Sequence, residues 1–154
     1  MGCWRYKKKS ICSIKDIPKE YQDKHEVQIL YKISMKCAPF YYYVGKKIMF
    51  NTRKTKLSKK RRLELGLSNR TKFEYKKVES DWVNYNGSST NKEWNELLDT
   101  LEPDKFDREI LMFVEGKTKA AFHEAKYLFS DEGMMHEKCM NLNILSKFFK
   151  NKLK

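Results

Sequence analysis

From Val27 to Ile33 the chain alternates in polarity, placing Val27, Ile29, Tyr31 and Ile33 on one face, the period-two pattern of a β-strand. A loop over 34–39 follows. The aromatic run Phe40-Tyr41-Tyr42-Tyr43-Val44 then reads as a second strand, ended by Gly45. The short connection predicts an antiparallel hairpin with Tyr31 and Tyr43 side by side. A third run, Phe106 to Val114, is apolar on both faces and is expected to be the central strand. Gly116 breaks it.

Helical signals are spread around these strands. Ser58 caps a short basic helix that stops at Gly66. Thr90 and Glu93 make a capping box for a helix whose Trp94, Leu97, Leu98 and Leu101 form one stripe, closed by Pro103. Thr118 is the expected cap of a helix running to about Ser130, and Leu142 to Phe149 suggests a final short helix. Residues 1–26 read as a basic lead-in with a turn at Asp16-Ile17-Pro18, and Asn69 to Lys77 as loose or weakly extended. The expectation is an α+β fold in a single domain, 1–154: a small three-stranded antiparallel or mixed sheet flanked by helices.

Charge changes this picture. The 154 residues carry a formal net charge of +13, and between Lys46 and Glu79 there are thirteen Lys/Arg against three Glu. This basic insertion, 46–79, points to a polyanionic partner, and nucleic acid is the expected one. The competing reading is a solvated basic segment. Cys3, Cys12, Cys37 and Cys139 form no CxxC pair and are expected as reduced thiols in a cytoplasmic protein. No apolar run approaches the length of a membrane span, and the lysine-rich start lacks the apolar core of a signal peptide.

Several residues carry candidate chemistry. On the 118–130 helix, Lys119, His123, Lys126 and Ser130 define a polar face at about 100° per residue. Glu124 lies away from it, beside Ala121, Ala125 and Leu128. An inward carboxylate must be paired, protonated or metal-bound, and a salt bridge to a nearby Lys or Arg competes with a metal. Arg108 lies inside an apolar strand and needs a partner, either a carboxylate or a phosphate. Gly87-Ser88-Ser89 opens onto a helix N-terminus, where free N–H groups attract anions.

Taken in order, these pieces resemble the GIY-YIG endonuclease superfamily, and within it the stand-alone, phage-type endonucleases. The resemblance rests on Tyr31-Lys32-Ile33, Tyr43-Val44-Gly45-Lys46-Lys47 and Glu79-Ser80-Asp81-Trp82-Val83-Asn84-Tyr85-Asn86-Gly87-Ser88. It continues through Phe106-Asp107-Arg108-Glu109-Ile110-Leu111, Glu124-Ala125-Lys126 and Met140-Asn141. Ile29 and Leu30 depart from the first triplet of the family pattern, and the histidine often found on its first helix is missing. The resemblance implies Tyr31, Tyr43, Arg53 and Glu124 as catalytic residues, with Arg108 or Lys47 as the alternative cation. It implies Glu124 as ligand of one Mg²⁺ or Mn²⁺, and Tyr31 as a phenol acidified by neighbouring cations. Gly45, Lys46, Lys47, Gly87, Ser88, Arg108 and Asn141 would contact DNA phosphates. The implied activity is one-metal hydrolysis of DNA phosphodiesters. The alternative is a basic nucleic-acid-binding module that keeps the fold without cleavage.

Overall fold

A computed structural model describes residues 3–153. The chain runs through β1 (Trp4–Tyr6), β2 (Lys9–Ile11), α1 (Lys19–Gln22), β3 (Val27–Met35), β4 (Tyr42–Lys56) and α2 (Lys59–Glu64). It continues through β5 (Phe73–Glu79), α3 (Lys92–Thr100), β6 (Phe106–Glu115), α4 (Lys117–Leu128), β7 (Asn143–Ile144) and β8 (Phe148–Phe149). The main sheet has six strands in the order β2-β1-β6-β3-β4-β5, not the expected three. It is mixed, because β1 runs parallel to β6 whereas the other neighbours are antiparallel.

The additional strands are those with weak sequence signals. β1 and β2 are three residues each, and their turn uses Lys7 and Lys8 at φ 46° and 69°. That left-handed turn is usually marked by Asn or Gly; lysines conceal it. β7 and β8 replace the helix expected over 142–149, through another left-handed turn at Leu145 and Ser146. β5 supplies the extended structure only faintly signalled over 69–77.

The strong patterns hold. β3 and β6 are the interior pair of the sheet, and β3 is buried on both faces. One face packs Val27, Ile29, Tyr31 and Ile33 against Trp4, Trp82 and Trp94. The other packs Leu30, Tyr42 and Val44 under Ala125 and Leu128 of α4. Gly45 does not end its strand: β4 continues to Lys56, and its outer half pairs with β5 in a projecting ribbon with α2 near its tip. Ser58 caps α2 as expected. The helix caps at the other two sites shift, to Asn91 for α3 and Gly116 for α4, so Thr90 and Thr118 do not cap. Cys3 and Cys12 are joined in a disulfide beside β1 and β2, correcting the expectation of four free thiols; Cys37 and Cys139 are free. Among the described residues no helix is long and apolar enough to cross a membrane.

Candidate active site

The β3–β4 register decides how the two motif tyrosines meet. Tyr31 lies opposite Gly45 and Ile33 opposite Tyr43, so the phenols are diagonal neighbours on one face. Their ring centroids are 6.5 Å apart, and Tyr85 stands edge-on to Tyr31 at 5.9 Å. Gly45 is required here: a Cβ at that position would sit 2.5 Å from the Tyr31 hydroxyl oxygen. Gly87, at φ 93°, closes the phenol from the other side, where a Cβ would come within 3.3 Å of the same oxygen. Tyr31 is consequently 1% exposed.

Beside Tyr43 the edge of β4 is open, because β5 pairs only with residues 50–56. A polar segment covers that edge. The Asn141 amide accepts from the Val44 N–H at 2.9 Å and donates to the Val44 carbonyl at 2.8 Å, so it acts as one rung of a missing strand. Asn91 caps α3 by accepting from the Trp94 N–H, and donates to the Met140 carbonyl, tying α3 to this segment. Between them lies a cavity of about 240 Å³. Tyr43, Lys46, Ser88, Glu124 and Asn141 all line it.

Glu124 is turned inward as its place on α4 predicts, with its side chain 16% exposed, and it accepts from the Lys46 ammonium. A partly buried carboxylate with one cationic partner is stable; unpaired, it would carry the full desolvation cost. Tyr43 donates to the Ser88 carbonyl at 3.2 Å, and Tyr85 donates to the Ser88 hydroxyl at 2.8 Å. Lys47 pairs with Asp81 at 2.6 Å and lies over the Tyr85 ring.

The electrostatics run against one expectation. Burial, with smaller contributions from Tyr43, Tyr85 and Glu124, holds the Tyr31 phenol well above its ordinary pKa. Burial and the Glu124 carboxylate push Tyr43 up to about 12. Both phenols are neutral donors at neutral pH. Lys46 does not acidify them because its charge is already matched by Glu124. That Glu124 acts on both phenols places the carboxylate and the tyrosine pair in one electrostatic neighbourhood.

Not every expected residue joins them. Arg53 lies on the exposed outer half of β4, opposite Lys76. Eight residues of strand separate it from Gly45, roughly 25 Å at the usual rise. Arg108 is buried: its guanidinium stacks on Trp4 at 4.1 Å and donates to the carbonyls of Val83 and Tyr85. Desolvation lowers its pKa to about 10, so it remains a cation, committed to holding the loop that carries Tyr85. Asn141, expected to contact phosphate, lines the cavity but engages the Val44 backbone with both ends of its amide. Tyr85, Asn91 and their roles escaped the sequence reading, although Tyr85 sat within a motif; no periodicity marks a loop aromatic.

As a metal ligand set the site offers one carboxylate. Among the described residues no group of three His, Cys, Asp or Glu converges. A single Glu still suits Mg²⁺, which retains water and takes oxygens from substrate phosphate. Residues 4–145 match a protein-family model described as "Putative endonuclease segE, GIY-YIG domain". Searches of curated proteins and of solved structures found no match.

Proposed function

Since the chain belongs to this GIY-YIG endonuclease family, we propose that it is a metal-dependent DNA endonuclease working from the Tyr43–Glu124 cavity. The carrying observation is that Tyr43, Lys46 and Glu124 share one cavity, with Tyr31 packed beside Tyr43 and its hydroxyl closed in by Gly45 and Gly87. Glu124 would hold the divalent ion, which supplies positive charge to the leaving 3′ oxygen. Lys46, paired with Glu124 at the cavity, would present its ammonium to a phosphate oxygen and stabilise the charge that builds during attack. Lys46 thus takes the part assigned from the sequence to Arg53.

The tyrosines act as neutral donors. With its pKa raised to about 12, Tyr43 keeps its proton and orients water or a phosphate oxygen from the cavity wall. Tyr31, more deeply buried, fixes the position of β4 and of Tyr43. The Ser88 hydroxyl and the loop at Gly87 flank the phosphate. The basic ribbon supplies affinity for the DNA backbone that salt weakens.

Supercoiled plasmid tests this reading. With Mg²⁺ or Mn²⁺ the protein is expected to nick DNA, and Glu124→Gln to bind with similar affinity while cutting about 10²–10³-fold more slowly. Equal cleavage by both proteins would remove Glu124 from the mechanism. Binding without cleavage by the unaltered protein would leave a nucleic-acid-binding module on the same fold.

A further inference from the structure

A second basin, of about 460 Å³, adjoins the cleft on the α4 side of the sheet and shares Lys46 with it. Gln28, Lys46, Lys47, Ser80 and Lys117 line it. Three of these are cations brought together from two elements: two successive residues of β4 and the first residue of α4. α4 begins at Gly116 with no side-chain cap and no acid in its first turn, so its free N–H groups remain available to an anion.

Gln28 is the independent sign that the basin takes a ligand. It lies in β3 between Val27 and Ile29, is 3% exposed, and faces the basin. Its side chain forms no hydrogen bond among the described residues. With no partner among those residues, the amide must be completed by whatever occupies the basin it lines. Its presence makes sense if a polar guest completes it. Lys46 and Lys47 are paired with Glu124 and Asp81, and Lys117 meets no carboxylate among the described residues, so the cluster keeps a net positive charge that favours an anionic guest. A neutral amide donor beside it suits phosphate oxygens.

We infer that this basin binds one phosphate of the nucleic-acid backbone, a neighbour of the one cut in the cleft. The identity of that polymer rests on the nuclease reading; the anion site does not. Lys46 couples the two places, since it can serve the basin fully only when Glu124 has another partner.

The test is a titration of the full chain with inorganic phosphate at low ionic strength, followed by NMR. The Gln28 side-chain amide and the backbone N–H groups of 117–119 are expected to shift together and saturate. Lys117→Gln, an exposed change that leaves the core intact, should weaken that binding at least fivefold, and Gln28→Leu at least threefold. Glu124→Gln should not weaken it. In cleavage assays Lys117→Gln should raise KM and leave kcat within twofold. Shifts scattered over the ribbon without saturation at Gln28, or Lys117→Gln titrating like the unaltered chain, would overturn the site. If phosphate saturates the basin but the protein never cuts DNA, the nuclease reading fails and the anion site stands.

Discussion

The cleft and the ribbon use charge in opposite ways. In the cleft the charges are few and matched: Lys46 with Glu124, Lys47 with Asp81, and Arg108 with two carbonyls. On the ribbon they are many and mostly exposed, and Arg53, Lys54, Lys56, Lys59 and Lys60 meet no carboxylate among the described residues. Glu124 and Arg108, the most enclosed of these charges, lie in a packed setting where each must be satisfied. The ribbon needs no such matching, since solvated cations lose little by waiting for phosphates. On the proposed reading, specific chemistry belongs to the first region and salt-sensitive affinity to the second.

Replacing Arg53, Lys54, Lys56, Lys59 and Lys60 together with Gln should have the largest effect. DNA affinity at moderate salt should fall on the order of a hundredfold, and the slope of log K against log salt should flatten by about 0.9 for each phosphate no longer neutralised. Fluorescence anisotropy across a salt series measures both. The turnover of bound DNA should hold, and a collapse of kcat would show that the ribbon shares in the chemistry.

Gly45→Ala sharpens the contrast from the cleft side. The new methyl would meet the buried Tyr31 hydroxyl at 2.5 Å, so the ring or the strand must move. Overpacking of this kind costs about 1–3 kcal/mol. Chemical denaturation should report it, with cleavage falling further than stability because Tyr43 and the cavity wall shift too. Gly66→Ala, by contrast, lies on the exposed side with open space around it and should affect stability only through its positive φ.

The smallest effect is on pH. A phenol whose folded pKa exceeds its unfolded value of about 10 stabilises the fold below that value. It loses this contribution as pH rises through the folded pKa, because the native state then binds more protons than the unfolded one. For Tyr43 the window is about 10 to about 12. Thermal melts should show stability falling across it, less steeply in Tyr43→Phe.

What could be read in advance follows the strength of local patterns. The alternation of β3, the doubly apolar β6, the stripe on α3 and the inward Glu124 are periodicities, and burial enforces them along each element separately. The short strands β1, β2, β7 and β8 carry too few residues for a period, and their turns use lysine, leucine and serine instead of glycine. The place of Arg53 was illegible for a related reason. Counting eight residues beyond Gly45 identifies a position but not whether the strand turns back, and here β4 runs straight on because β5 pairs with it.

The sequence alone determined which residues belong to the sheet interior and where the cationic excess lies. Those are properties of side-chain size, polarity and spacing, available before folding. Tertiary structure decided the rest: that Lys46 and not Arg53 meets Glu124, that Arg108 and Asn141 brace the backbone, and that Gln28 opens into a basic basin. Each of these depends on distances across strands and helices far apart in the chain, and on a register that local preference does not specify.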